Sequence, residues 1–264
     1  MWQPPADALA ALTRRWSLAV GTPFAGPEVS AAWVAPVRRA DGAPAVLKLG
    51  MPHMEARDEI AGLRFWDGDP TVRLLAWDDE LNAMLLERCE PGTHLRTLPE
   101  DEQDVVIAGL LRRLWRSAEA FRPLAELTAH WAAETLAAEE RWPDPGLTRE
   151  GLALFEELPR TAPAEALLAT DLHAGNVLRA EREPWLVIDP KPFVGDLAYD
   201  ATQHLFNCEG RLWARPLETI GRFAGLLGVE AERVRLWIFA RAVAEPRDDW
   251  RGPELELARA LAPR

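Results

Sequence analysis

The chain has 264 residues, of which 48% are hydrophobic and 27% are charged, as is usual for a globular protein with a well-buried core. The net charge of −12 argues against a nucleic-acid partner and is compatible with a cationic small-molecule substrate. No apolar stretch is long enough to span a membrane, and the N-terminal residues lack a secretory pattern, so we expect no membrane partner. Cys89 and Cys208 form no metal-binding motif, and nothing in the sequence argues for a disulfide, so we expect a reducing cytoplasm. The sequence does not indicate an oligomeric state.

The first third of the chain is predicted to be rich in β-strands. Apolar residues at helical spacing predict a helix over residues 6–20, and a second helix is predicted over residues 52–66. Asp41-Gly42 is a strong hairpin signal between two strands. The four predicted strands cover residues 32–38, 44–49, 72–77 and 83–87. Because Pro91-Gly92 breaks the chain, we predict a first lobe of residues 1–91.

The remaining residues, 92–264, are predicted to form a mainly helical second lobe. One helix is predicted to begin after residue 99, and two more cover residues 127–142 and 149–158. Residues 201–245 are predicted to form two or three helices, which are separated near Pro216 and at Gly228. Near the end, Asp248, Asp249 and Trp250 predict either a pocket for a cation or a solvated loop. A β-rich lobe followed by a helical one predicts a two-lobed α+β protein.

Residues 168–200 carry the pattern that a phosphoryl-transfer enzyme needs. Asp171 opens an Asp-x-x-x-x-Asn run that ends at Asn176, and the apolar run of residues 185–188 leads to Asp189. Phosphoryl transfer depends on positioning and electrostatics, so one carboxylate must orient the attacking hydroxyl and accept its proton. A second carboxylate and an amide oxygen suit Mg²⁺, which prefers oxygen ligands. A hairpin of residues 176–188 would bring these groups together.

The same stretch resembles the catalytic loop of the aminoglycoside phosphotransferases, which have a protein-kinase-like fold. The segment VLRAEREPWLVIDPKPFVGDLAYD is most similar to the streptomycin 6-kinase and hydroxyurea phosphotransferase group. The resemblance implies ATP and Mg²⁺ as cofactors, Asp171 as catalytic base, and Asn176 and Asp189 as metal ligands. It also implies that Lys48, at the end of a Val-Leu-Lys strand, contacts the phosphates of the nucleotide.

The resemblance assigns further residues to the nucleotide site. Glu59 is predicted to hold Lys48, with Glu55, one turn earlier, as the alternative. Ser30 lies in a loop that could cover the phosphates, and Glu87 ends the strand expected to lead into the adenine-binding hinge. Lys48 and Lys191 are the only lysines among 30 basic residues, and Lys191 is a candidate contact of the substrate or the γ-phosphate.

The loop departs from the family pattern directly before Asp171. The family usually has His-Gly there, whereas this chain has Ala169-Thr170. A β-branched residue is stiff and disfavours positive φ, so the sequence predicts an altered loop and weaker activity. His173 is predicted either to brace the loop or to contact substrate. Asp200 is predicted to cap the helix that begins there.

These observations predict an ATP-dependent O-phosphotransferase acting on a small hydroxylated antibiotic, with streptomycin as the first candidate and aminoglycoside resistance as the implied role. One alternative is a kinase of another small molecule, such as another aminoglycoside, hydroxyurea or a metabolite. A second is a non-catalytic, pseudokinase-type ligand binder, which the altered loop would favour and the retained polar residues oppose. A protein kinase is disfavoured because the His-Arg-Asp, Asp-Phe-Gly and Ala-Pro-Glu motifs are missing.

Overall fold

The computed structural model describes residues 3–24, 32–51 and 53–263. Its helices are α1 (Ala6–Arg15), α2 (Glu59–Trp66), α3 (Glu100–Leu114), α4 (Leu124–Ala137), α5 (Pro145–Arg160), α6 (Asp200–Phe206), α7 (Glu209–Ala214), α8 (Pro216–Leu227), α9 (Ala231–Ala244) and α10 (Pro253–Leu261). Its strands are β1 (Ala19–Val20), β2 (Ala32–Arg38), β3 (Pro44–Gly50), β4 (Leu74–Asp78), β5 (Ala83–Glu87), β6 (Glu165–Leu168), β7 (Val177–Leu178), β8 (Leu186–Val187) and β9 (Phe193–Asp196). Within the described residues, no helix is both long enough and apolar enough to cross a membrane.

The chain divides into two compact units, residues 1–97 with 175–191 and residues 98–174 with 192–264. The division differs from the predicted lobes of residues 1–91 and 92–264, because the β7–β8 hairpin groups with the first unit. Backbone hydrogen bonds account for this grouping: the Val72 N–H donates to the Val187 carbonyl at 3.0 Å, and the Val187 N–H donates to the Pro70 carbonyl at 3.0 Å.

An antiparallel sheet in the order β1-β2-β3-β5-β4 forms the first unit. The β2–β3 hairpin turns at Asp41-Gly42 as predicted, and Gly42 has a φ of 82°, which glycine adopts without steric cost. Buried side chains lie on both faces of the sheet. One core includes Trp33, Leu47 and Leu85. The other includes Leu63 of α2, Met84 and Leu186 of the hairpin.

Helices surround the two-stranded β6–β9 sheet in the second unit. Helix α9 is central, since residues 237–244 are all buried and α9 packs against α5, α8 and α10. The helices of residues 201–245 separate at Pro216 and Gly228, as predicted. Gly228 has a φ of 77°, the left-handed conformation that often ends a helix.

The structure differs from the sequence prediction at two helix ends and in one pair of strands. Helix α1 ends at Arg15 instead of residue 20, since Ser17 has a φ of 52° and Ala19–Val20 pairs with β2. Helix α2 begins at Glu59, and a short 3₁₀ turn precedes it at Glu55–Asp58. Strands β6 and β9 were not predicted. Each has four mostly buried residues, too few to show the alternation of a half-buried strand.

Candidate functional site

Lys48 lies at the centre of a buried charged cluster in the first unit. It is in strand β3, paired in register with Val34 of β2 and Met84 of β5, and it is 7% exposed. Its ammonium group donates to both carboxylate oxygens of Glu59 at 2.7 Å and also to Asp189. Glu59 is the first residue of α2, where the helix dipole favours a carboxylate, and it is 2% exposed. The structure therefore brings Lys48, Glu59 and Asp189 together.

The three charges of this cluster shift one another's pKa values. Burial opposes the charge of Lys48, but Asp189 and Glu59 outweigh burial and hold the pKa of Lys48 above its ordinary value. Burial raises the pKa of Glu59, and Lys48 opposes that rise. Burial also disfavours the charge of Asp189, yet the nearby Lys48 lowers the pKa of this carboxylate. The cluster therefore holds a fixed ammonium between two carboxylates.

Asn176 and Asp189 lie at the open end of the β7–β8 hairpin. The strands pair antiparallel, Val177 with Val187, and the Ile188 N–H donates to the Asn176 carbonyl at 2.9 Å. Asp189 has a φ of 54°, and 39% of its side chain is exposed, so Lys48 does not enclose the whole carboxylate. An amide oxygen and a partly exposed carboxylate are donors that suit Mg²⁺. The residues present thus fit the metal that the resemblance implies.

Lys191 and His53 lie close enough to Asp189 to lower its pKa. The Lys191 ammonium lies 3.9 Å from a carboxylate oxygen of Glu55. Glu55 thus pairs with Lys191, and Lys48 pairs with Glu59, the residue that was preferred over Glu55 as its partner. Burial and the positive charge of Lys191 lower the pKa of His53. His53 was not predicted, because a single histidine in the loop before α2 has no signature of its own.

Asp171 follows a tight turn in the second unit. The Asp171 N–H donates to the Ala169 carbonyl at 2.6 Å across Thr170, whose φ is 47°. Threonine therefore adopts the positive φ that its β-branched side chain disfavours. His173 is half-buried between the buried residues Leu172 and Ala174, which anchor this part of the loop in the core. Its two predicted roles, loop bracing and substrate contact, stay predictions.

Two predicted nucleotide contacts have different outcomes. The carboxylate of Glu87 accepts hydrogen bonds from Arg182 at 2.9 and 2.8 Å and from the Arg73 N–H at 3.0 Å. The Glu87 N–H donates to the Arg73 carbonyl, so a nucleotide contact of this residue would have to use its carbonyl oxygen. Ser30 lies outside the described residues.

Two more residues in the first unit brace the hairpin and were missed in the sequence. The Arg182 guanidinium lies in the β7–β8 turn and, besides Glu87, donates to the carbonyls of Gly68 and Thr71 at 2.9 and 3.0 Å. The His94 ring donates to the Gly175 carbonyl at 2.8 Å, directly before Asn176. Both contacts join residues at least 81 positions apart, so no local pattern could indicate them.

Asp200 was predicted to be a helix cap, and this prediction is wrong. It begins α6, but its side chain accepts no capping hydrogen bond from that helix. Its carboxylate instead accepts hydrogen bonds from the N–H groups of Ala169 and Thr170 and from the Trp115 indole. Asp200 therefore contacts the turn that precedes Asp171.

A cavity of about 360 Å³ opens in the second unit between α4 and the loop that follows α9. Asp248 and Trp250 line it, as one of the sequence alternatives predicted. The Asp249 carboxylate instead accepts a hydrogen bond from the Arg251 N–H. The other charged residues of the lining are Glu134, Arg141 and Arg247. With two carboxylates and two guanidinium groups, the charge of the lining does not select a cation.

A second polar cluster, in the core of the second unit, consists of Asp104, His204 and Cys208, whose ligand atoms lie within 4.8 Å of one another. The Asp104 carboxylate accepts hydrogen bonds from Arg211 at 2.9 and 2.8 Å and from Arg222 at 3.0 Å. Two guanidinium groups thus already neutralise this carboxylate. The cluster is better suited to joining α3, α6, α7 and α8 than to binding a metal ion.

The sheet with its buried Lys–Glu pair, the hairpin that ends in an aspartate and the Asp-x-x-x-x-Asn loop define a protein-kinase-like phosphotransferase. Among solved structures, choline kinase LicA from Streptococcus pneumoniae matches with a TM-score of 0.71, covering 97% of this chain and 99% of that one. At 13% sequence identity this likeness shows the fold alone. It confirms the predicted α+β kinase-like fold.

Residues 15–246 match the family described as aminoglycoside/hydroxyurea antibiotic resistance kinase, and the chain belongs to this family. It is 41% identical to hydroxyurea phosphotransferase from Kitasatospora aureofaciens over 248 residues, which cover 89% of this chain and 70% of that protein. It is 42% identical to streptomycin 6-kinase from Streptomyces griseus over 176 residues, 64% of this chain and 57% of that protein. Membership confirms the predicted enzyme class, a phosphotransferase with an alcohol group as acceptor.

Proposed function

We propose that this protein transfers the γ-phosphate of ATP to a hydroxyl group of a small antibiotic-like molecule, with streptomycin and hydroxyurea as the candidate acceptors. The observation that carries this proposal is the buried cluster of Lys48, Glu59 and Asp189 at the end of the β7–β8 hairpin. A buried ammonium fixed by two carboxylates is costly to maintain, which argues for a functional reason to keep it.

In this proposal the first unit binds the nucleotide. Lys48 contacts the phosphates, and Glu59 keeps its ammonium in place. Asn176 and Asp189 hold Mg²⁺, which when bound neutralises charge on the transferred phosphate. Lys191 lies close enough to Asp189 to affect its pKa, which supports a contact with the γ-phosphate or the acceptor. The dependence on ATP favours a cytoplasmic location.

The second unit supplies the groups that act on the acceptor. Asp171 orients the acceptor hydroxyl and accepts its proton as the oxygen attacks phosphorus. His173, two residues later, either braces this loop or contacts the acceptor. The pseudokinase alternative is weakened because Lys48, Asp171, Asn176 and Asp189 are all retained.

Two observations bear on the acceptor. Streptomycin is cationic, and the net charge of −12 would concentrate a cation near the protein. Hydroxyurea phosphotransferase, however, matches 89% of this chain, compared with 64% for the streptomycin 6-kinase. The longer match keeps hydroxyurea as an equal candidate.

Mass spectrometry of the products tests this proposal. The protein is incubated with ATP, Mg²⁺ and a panel of streptomycin, other aminoglycosides and hydroxyurea, with an Asp171→Asn variant as the matched control. A gain of one phosphate on one panel member, lost in the variant, would support the mechanism and identify the acceptor. Nucleotide binding without phosphorylation of any panel member would direct the search for the acceptor to metabolites. If metabolites also give no Mg²⁺-dependent ATP turnover, the non-catalytic ligand binder becomes the better explanation.

A further inference from the structure

The carbonyl directly before Asn176 is held by a side chain from a distant part of the first unit. The half-buried His94 ring donates a hydrogen bond from Nδ1 to the Gly175 carbonyl at 2.8 Å. Because a carbonyl oxygen can only accept, Nδ1 must carry a proton. The contact lies one residue away from a proposed metal ligand, and no step of the proposed reaction uses it.

The His94 ring is not needed to attach its own segment to the β7–β8 hairpin. Two backbone hydrogen bonds already join them, from the Gly92 N–H to the Arg179 carbonyl at 3.0 Å and from the Arg179 N–H to the Thr93 carbonyl at 2.9 Å. These bonds lie towards the turn of the hairpin, whereas the ring reaches back to the open end. The ring therefore fixes one peptide group that strand pairing leaves unsupported by the segment around His94.

Two hydrogen-bonded peptide groups meet at the Cα atom of Asn176. The Gly175 carbonyl belongs to the group before it, and the Asn176 carbonyl, which accepts from the Ile188 N–H at 2.9 Å, belongs to the group after it. Each peptide group is planar, so fixing both planes fixes φ and ψ of Asn176 and the direction of its Cα–Cβ bond. The plane before Asn176 depends more on its hydrogen bond, because Gly175 has no Cβ to restrict the backbone.

We propose that His94 is a positioning residue for the metal site, which fixes the peptide group before Asn176 and so holds the Asn176 side chain where its amide oxygen can bind Mg²⁺ together with Asp189. This inference rests on the proposed metal role of Asn176 and Asp189. His94 is not itself a ligand. Groups that orient a metal ligand typically change metal affinity or activity by ~10–100-fold, so a measurable effect on Mg²⁺ is expected.

Two substitutions separate the donated N–H from the volume of the ring. His94→Phe keeps an aromatic ring but has no N–H group to donate. His94→Asn carries a side-chain NH₂ group at the position of Nδ1 and can still donate to the Gly175 carbonyl. Thr97→Val is the matched control, because the Thr97 hydroxyl donates to the His94 carbonyl at 2.9 Å and its loss leaves the ring contact in place.

Calorimetric titration of the full chain with ADP, with and without Mg²⁺, measures the effect on the metal. In His94→Phe we expect the gain in ADP affinity that Mg²⁺ provides to fall by ~10-fold, while ADP affinity without Mg²⁺ stays unchanged. His94→Asn should lose less of this gain, and Thr97→Val should lose none. An unchanged gain in His94→Phe would overturn the proposal. Equal losses in His94→Phe and His94→Asn would also contradict it, since the donated N–H would then not be the cause.

Amide hydrogen exchange tests the contact without nucleotide, metal or acceptor. In His94→Phe we expect faster exchange in peptides covering residues 175–178 and unchanged exchange in the hairpin turn, residues 180–185. Faster exchange along the whole hairpin, or no change at all, would indicate a general structural role and refute local positioning. If His94→Phe does not fold, His94→Ala, which fits the same space, replaces it in both measurements.

The outcome for the wild type separates this proposal from the proposed function. If Mg²⁺ leaves the ADP affinity of the wild type unchanged, the metal role of Asn176 and the role of His94 fail together. If Mg²⁺ strengthens ADP binding but no acceptor is phosphorylated, only the acceptor class fails. If the wild type responds to Mg²⁺ and His94→Phe responds equally, the role of His94 fails and the proposed function stands.

Discussion

Replacing Glu59 with glutamine tests the buried cluster in which Lys48 is held. The substitution keeps the volume of the side chain but removes its charge. It replaces one accepting oxygen with an NH₂ group that faces the Lys48 ammonium, so the side chain accepts only one of the two 2.7 Å hydrogen bonds that Lys48 donates. Breaking a buried ion pair typically costs ~3–5 kcal/mol. Because Lys48 keeps Asp189 as a partner, we expect a loss of ~2–3 kcal/mol in the free energy of unfolding.

Glu55→Gln is the matched control. Glu55 lies one turn before Glu59, its side chain is 33% exposed, and its nearest oxygen is 3.9 Å from Lys191. Exposed pairs of this kind contribute ~0–1 kcal/mol, so a small change is expected. Urea unfolding of the wild type and both variants measures the two losses of stability. A Mg²⁺ titration of activity is the second measurement. In Glu59→Gln, Lys48 should hold Asp189 more tightly, so activity should require a higher Mg²⁺ concentration. Equal effects of the two substitutions would refute this account of the cluster.

The remaining predictions concern catalysis, the hairpin and pH. Asp171→Asn should lower kcat by ~10²–10⁴-fold with unchanged nucleotide affinity, because only the proton acceptor is lost. Product analysis measures kcat, and calorimetric titration measures nucleotide affinity. A loss of nucleotide affinity that parallels the loss of kcat would contradict this prediction. Arg182→Ala should destabilise the protein by ~2–3 kcal/mol in denaturant unfolding, because Glu87 keeps only the Arg73 N–H and the Gly68 and Thr71 carbonyls lose the guanidinium donor. Arg160→Ala, from an exposed pair, should change little. Burial raises the pKa of Asp200 from 3.8 to about 6, so between these values the folded state binds a proton that the unfolded state has lost. The folded state therefore loses stability as pH rises from 4 to 6. Wild type should lose about 2 kcal/mol relative to Asp200→Asn over that range, because the slope approaches ~1.36 kcal/mol per pH unit only between the two pKa values. An equal change in the free energy of unfolding of both proteins between pH 4 and pH 6 would contradict it.

Local signals predicted much of the fold. Asp41-Gly42 placed the β2–β3 turn, and the apolar run before Asp189 placed the returning strand of the catalytic hairpin, because turn chemistry and strand alternation act over a few residues. Gly228 marked a helix end for the same reason. Strands β6 and β9 escaped prediction because each has only four, mostly buried residues and pairs with a segment about 30 positions away, so neither segment shows a pattern alone.

The candidate site was predicted where the pattern is local and missed where contacts are distant. Lys48 and Glu59 were paired by resemblance, because the Glu-x-x-x-Leu-x-x-Trp pattern that begins at Glu59 is similar to the family's helix, and the structure shows this ion pair. Thr170 was expected to be unfit for positive φ, because a β-branched side chain considered by itself disfavours that conformation. In the folded chain Asp200, 30 positions away, holds the backbone of Thr170 in place. Asp200 was mistaken for a helix cap for the same reason.

The distribution of lysine gives this protein an intrinsic chemical reporter. Lys48 and Lys191 are the only side chains that carry a primary amine. Lys48 is buried and its raised pKa keeps it protonated and unreactive, whereas 20% of the Lys191 side chain is exposed. An amine-reactive reagent should therefore modify Lys191 first among the side chains, next to Asp189. Protection of that one residue by added nucleotide or acceptor would then report ligand occupancy by peptide mass alone, without mutation or an introduced label.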